Sequence, residues 1–216
     1  MLKLLISLYC LLPSICAAET IHYAINQMGV KAGDATLAFK GNVRYNNEDL
    51  VLIEFKADGF NFLDQEQIYV NPTDYRPRFV NRNLNIFGKK ETISEEYQSN
   101  QIVINKTAAG KTTQQIIANA IGVDNIYGFI YRFRRDGKFE LGETFTINLP
   151  TKKLKIKVAK EWPLTVAGKS YTSVYLQSDP AKYKIWFDST DKKLPLRISG
   201  AMGIANTTMV MTAYEE

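Results

Sequence analysis

The chain has 216 residues, 45% of them hydrophobic, and a formal net charge of +5. That size suits one domain with a sizeable core and needs no disulfide staple. Both cysteines, Cys10 and Cys16, fall in an apolar N-terminal leader, which excludes thiol catalysis and thiolate metal sites beyond it, and a single histidine excludes a zinc site built from several imidazoles.

The leader, Met1 to Ala18, carries Lys3 and then Leu4, Leu5, Ile6, Leu8, Leu11 and Leu12, and it closes on Cys16-Ala17-Ala18. A basic start, a short apolar run and small residues before a cleavage point describe a secretory signal peptide, too short for a membrane span. Cleavage after Ala18 would leave one exported β-rich domain over residues 19–216. Ile15, directly before Cys16, departs from the small residue that lipidation requires. Past the leader no stretch approaches the ~20 apolar residues of a transmembrane helix.

Along that domain, side-chain alternation predicts strands. Ile21 to Met28 is the first, followed by a turn bracketed by glycines over Gly29-Val30-Lys31-Ala32-Gly33. Ala35 to Lys40 and Leu50 to Ala57 follow, joined through Asn46-Asn47-Glu48-Asp49. Asp58-Gly59 breaks the pattern, and the crowded Phe60, Phe62 and Leu63 suggest a helical turn. Gln67 to Val70, Arg78 to Leu84, Lys89 to Gln98 and Gln101 to Lys106 read as further strands, with turns at Asn71 to Asp74, Phe87-Gly88 and Gln98 to Asn100. Thr112 to Ala120 fits either strand or helix.

Asp124 to Arg135 is the one clear helix. Ile126, Phe129, Ile130 and Phe133 fall at i, i+3, i+4 and i+7, Asp124 is placed as N-cap, and Gly137 follows the basic last turn. From Lys138 to Gly200 strands return. Leu154, Ile156 and Val158 alternate with Lys153, Lys155 and Lys157, and Pro163 is placed to close that strand. Tyr171 to Leu176, Tyr183 to Phe187 and Leu194 to Ile198 complete a meander. The fold class is mainly β: a strongly curved antiparallel sheet or open barrel with one or two helices packed in its concave face.

Several of these segments recur together in a known family. Gly29-Val30-Lys31-Ala32-Gly33 precedes the small-residue strand Asp34-Ala35-Thr36-Leu37. Gly142-Glu143-Thr144-Phe145 opens an alternating strand, the Ala167-Gly168 turn precedes another, and Ile185-Trp186-Phe187-Asp188 leads to Leu194-Pro195-Leu196-Arg197-Ile198. In order and spacing this set resembles the bacterial family called domain of unknown function 3108, over most of the chain after the leader. Many members place a cysteine after the glycine turn, where this chain has Thr172-Ser173. The resemblance implies an exported protein, periplasmic once the leader is removed. It also implies a fold similar to that of the periplasmic lipoprotein carriers, a curved antiparallel sheet wrapped around one or two helices. It implies no catalytic or binding residues.

On chemistry, the residues point away from catalysis. His22 sits in no motif that supplies a nucleophile and an orienting carboxylate. The carboxylates Glu95-Glu96, and Asp64 with Glu66, could serve glycoside chemistry, but on strands such groups read as solvated surface. Asp188-Ser189-Thr190-Asp191 lacks the ligand density of a calcium loop, and no phosphate-binding glycine pattern occurs. No catalytic residue, cofactor, metal site or nucleic-acid partner is assigned.

What remains is apolar surface. Phe60, Phe62 and Leu63 together with the Ile126, Phe129, Ile130 and Phe133 stripe either line a ligand cleft between helix and sheet or plug the core outright. The first reading makes the protein a non-enzymatic carrier of a lipid or other apolar ligand. The second makes it a structural or interaction module of the envelope with a protein partner, and a glycan-active enzyme is the remote alternative. Between Pro150 and Gly200 eleven basic residues face four acidic ones. Lys153, Lys155 and Lys157 are therefore either a solvated outer face or a surface for anionic lipid headgroups.

Overall fold

Period-2 burial runs through most of the chain. In the computed structural model, which describes residues 18–118, 120–200 and 207–216, fourteen strands and one helix are found among the described residues. Eight strands come first: β1 (Glu19–Gln27), β2 (Val30–Tyr45), β3 (Glu48–Gly59), β4 (Phe62–Val70), β5 (Pro77–Ile86), β6 (Lys89–Tyr97), β7 (Gln101–Ala108) and β8 (Lys111–Ala118). Helix α1 (Ile126–Asp136) follows. Then come β9 (Thr144–Leu149), β10 (Lys152–Val166), β11 (Lys169–Asp179), β12 (Lys184–Asp188), β13 (Pro195–Ser199) and β14 (Thr207–Glu215).

All fourteen belong to one antiparallel sheet. Its order is two meanders joined where β14 returns beside β1, so that β8 and β9 are the outer strands and the sheet is curved without closing into a barrel. The chain passes from one edge of the sheet to the other through α1. That helix buries Ile126, Tyr127, Phe129, Ile130, Tyr131 and Phe133, a wide apolar surface, and leaves Arg135 and Asp136 exposed at its end. So wide an apolar surface needs covering on more than one side. Tyr127 stacks on Phe55 of β3 at 4.3 Å, Tyr131 meets Phe39 of β2 at 5.2 Å, and Phe133 meets Phe145 of β9 at 5.3 Å and Phe187 of β12 at 5.0 Å. Contacts from both meanders place α1 in the concave face. Gly128 is required there: a Cβ would stand 2.6 Å from the Tyr75 carbonyl oxygen.

Several elements differ from the sequence reading, each for a physical reason. Phe60 to Leu63 is no helical turn but the β3–β4 hairpin, with Asn61 taking the left-handed conformation (φ 60°) and Phe62 and Leu63 already in β4. The turn after β1 is only Met28-Gly29, and Gly33 lies within β2, where a Cβ would be 2.3 Å from the Asp58 carbonyl oxygen of the neighbouring strand. Pro163 does not end β10. The β9 ladder stops at Lys157, so Pro163, paired with Thr172 on the other side, sits in an edge segment that tolerates a missing amide.

The N-cap is Asn125, whose Oδ1 accepts from the Tyr127 and Gly128 amides. Asp124 is instead a buried tie, accepting from Arg132 Nη1 at 2.7 Å and from the Asn148 amide at 3.0 Å. Residues 111–118 are strand. The meander read from the sequence stops at Ile198, whereas β14 continues the sheet. Except for Ala18, the expected leader lies outside the described residues. Among those residues no helix is long and apolar enough to cross a membrane.

Candidate functional site

Consecutive antiparallel hairpins put alternate turns at the same end of a sheet. The β1–β2, β3–β4 and β5–β6 turns therefore share one rim, and there they form an apolar cleft of about 390 Å³. Val30, Ala32, Phe60, Phe62, Ile86 and Phe87 line it, with Gln27 and Thr207 as its polar members. Backbone contacts fix the three turns to one another: the Phe60 amide donates to the Ala32 carbonyl at 3.3 Å, and the Phe87 amide to the Asn61 carbonyl at 2.7 Å. Gly59 makes room for the base of the cleft, since a Cβ there would come within 2.2 Å of the Phe62 ring. Phe62 packs against the core, whereas Phe60 is 85% exposed.

Further along the inward face of β4 the lining turns polar. Asp64 and Glu66 are both buried, not the solvated surface that alternation alone suggests. Arg82 on β5 donates to Asp64 through Nε (2.8 Å) and Nη2 (2.6 Å) and stands 3.8 Å from Glu66. Glu66 Oε1 accepts from Asn125 Nδ2 at 2.7 Å, which ties β4 to the helix cap. Burial pushes the Glu66 carboxyl up to about 7, with the Asp64 charge adding to the rise and Arg82 and Asn125 opposing it. Glu95, which accepts from the Tyr97 hydroxyl, is also raised by burial, against that hydrogen bond and the Arg82 charge. One guanidinium thus faces three carboxyl groups, two of which resist ionisation. Side chains 18 to 59 residues apart build this cluster, and no local pattern announces it.

Only part of the expected ligand set lines the cleft. Phe60 and Phe62 are in it. Leu63 takes the opposite face of β4, because neighbours on a strand diverge. Ile126, Phe129, Ile130 and Phe133 are buried around α1, within the core cluster and away from this rim cleft. Lys153, Lys155 and Lys157 are exposed and alternate with the buried Leu154, Ile156 and Val158, on the opposite face of β10 from the core.

His22 Nε2 lies 3.3 Å from Glu215 Oε1; the histidine is half-buried and the glutamate exposed. Asp188 is buried and accepts from the Thr190 amide (3.0 Å) and hydroxyl (2.6 Å), which closes its own loop. Among the described residues no group of three or more His, Cys, Asp or Glu side chains is placed to hold a metal ion.

The family model described as "Protein of unknown function (DUF3108)" matches residues 20–212, nearly the whole described domain. The chain belongs to this family. Its fold is similar to the crystal structure of a beta-barrel-like protein of domain of unknown function DUF1849 from Brucella abortus. The TM-score is 0.56 at 8% identity, over 92% of this chain and 97% of the other. At that identity the likeness concerns the fold alone. No protein with a curated description is detectably similar in sequence.

Proposed function

We propose that this DUF3108 protein is a non-enzymatic binder of an apolar ligand, such as a lipid acyl chain, held at the open rim of its curved sheet, and that it works exported, in the cell envelope. The observation that carries the reading is the rim cleft of about 390 Å³, walled by Val30, Phe60, Phe62, Ile86 and Phe87. Ligand sites in β-rich folds commonly occupy such a mouth, apolar in lining with a few polar groups to fix orientation. Because α1 fills the interior, the ligand lies at the rim and not along the helix stripe. The leader pattern at Met1 to Ala18 supports export.

The test is titration of a fluorescent fatty-acid analogue into the purified protein. Saturable binding at one site per chain, weakened by Phe60→Ser at unchanged thermal stability, supports the reading. Binding that does not saturate, or that ignores the substitution, overturns it. A second reading, a protein-interaction module, draws on β8. It is an outer strand of the sheet, exposed along most of its length, with Ile116 56% exposed, the kind of edge that accepts an added strand.

A further inference from the structure

Apolar side chains of this rim, including Met28 outside the cleft lining, also project into solvent. Met28 is 85% exposed, Val30 70%, Phe60 85% and Phe87 76%, and they sit at the tips of three separate turns. Two of these tips are costly locally. Met28 (φ 52°) and Phe87 (φ 50°) each precede a glycine with positive φ (Gly29, 85°; Gly88, 80°), in two-residue turns that favour asparagine or aspartate at that position. At the opposite end of the meander the β2–β3 turn uses Asn46-Asn47 for the same backbone shape (φ 47° and 63°). Bulky apolar side chains in left-handed conformation, turned to solvent, oppose both backbone preference and hydration.

Lysines stand directly behind these tips. Lys89 and Lys90 are exposed at the start of β6, and Lys31, which pairs with Asp34 at 2.7 Å, follows Val30. Lys89 pairs with Ile86 and Lys90 with Asn85, one and two residues behind the Phe87-Gly88 turn, so at a strand rise of about 3.3 Å per residue they lie roughly 3 and 7 Å behind the tip. That depth matches an interfacial geometry in which apolar groups reach ~5–10 Å into the headgroup–acyl boundary while basic groups meet the headgroups.

From this arrangement we propose that the rim docks onto the surface of an anionic phospholipid bilayer, with Met28, Phe60 and Phe87 inserted and Lys89 and Lys90 among the headgroups. Projecting tips at separate turns suit a soft, deformable interface better than the flat complementary face of a protein partner. The docking rests on the ligand reading and deepens it by opening the cleft toward a lipid source, but Met28, Lys89 and Lys90 lie outside the cleft lining, so substitutions there test it apart from the ligand site.

The experiment is co-sedimentation of the purified protein with phosphatidylglycerol-containing vesicles and with pure phosphatidylcholine vesicles. Wild type is expected to bind the anionic vesicles preferentially, and less so as salt rises. Met28→Asn supplies the residue that the turn prefers, so stability should hold or rise. Combined with Lys89→Glu and Lys90→Glu it should weaken vesicle binding by roughly tenfold or more while fatty-acid titration stays at the wild-type value. The proposal is overturned if wild type ignores anionic vesicles, if the triple variant binds them as wild type does, or if only Lys153→Glu, Lys155→Glu and Lys157→Glu abolish binding. Vesicle binding without fatty-acid binding leaves docking standing and removes the ligand reading instead.

Discussion

Replacing Glu66 by glutamine should stabilise the protein near neutral pH. The Glu66 carboxyl is buried between Asp64 and Asn125 and pushed up to about 7, whereas in the unfolded chain it titrates near about 4.3. Between those values the folded state holds a proton that the unfolded state has lost. Folding is therefore favoured below about pH 4.3, weakens as pH rises, and levels off above about pH 7. At about 1.4 kcal/mol per pH unit the accumulated penalty is up to about 4 kcal/mol. Glu66→Gln keeps an acceptor for the 2.7 Å bond from Asn125 Nδ2 without the charge.

Other carboxylates act in the opposite sense. The hydrogen bond from Arg78 holds Glu48, and that from Arg135 holds Asp136, below their usual range. The readout is therefore the difference between variant and wild type. Urea unfolding should show the two nearly equal at about pH 4.5 and the variant more stable by up to about 4 kcal/mol at about pH 7.5. A variant less stable than wild type at about pH 7.5, or a gap that does not change with pH, would refute the reasoning.

Further substitutions probe the packing of α1. Gly128→Ala should destabilise by about 1–3 kcal/mol, because the new Cβ meets the Tyr75 carbonyl at 2.6 Å; a gain in stability, as helix propensity alone would give, would contradict the close approach. Phe133→Ala should cost about 3–5 kcal/mol in urea unfolding, since its ring is buried among Phe129, Phe139, Phe145 and Phe187. A loss below about 1 kcal/mol would show that α1 does not anchor the core.

Much of the architecture was legible because alternation survives wherever one face of a strand is buried and the other wet. Lys153 to Val158 is the clearest case, with every Lys exposed and Leu154, Ile156 and Val158 buried. Helix α1 announced its inward stripe, although tyrosines at 127 and 131 bury its other side as well. Legibility failed where tertiary contacts decide. Asp64-Gln65-Glu66-Gln67 is polar on both faces, so nothing local says which face turns inward; Arg82 on the next strand and Asn125 at the helix cap settle it. Asp58-Gly59 looked like a break, yet Gly59 lets β3 run on until the Phe62 ring closes over it. For the proposed ligand site, Phe60 and Phe62 were visible as an apolar surplus. Val30, Ile86 and Phe87 join them only because the meander returns three turns to one rim.

Native mass spectrometry of protein purified from envelope extract tests whether the rim holds an apolar ligand. An adduct of one ligand per chain is expected, identified as lipid or another apolar molecule by organic extraction and lost in Phe60→Ser. An unliganded mass for wild type, unchanged when lipid is added, would contradict the ligand reading.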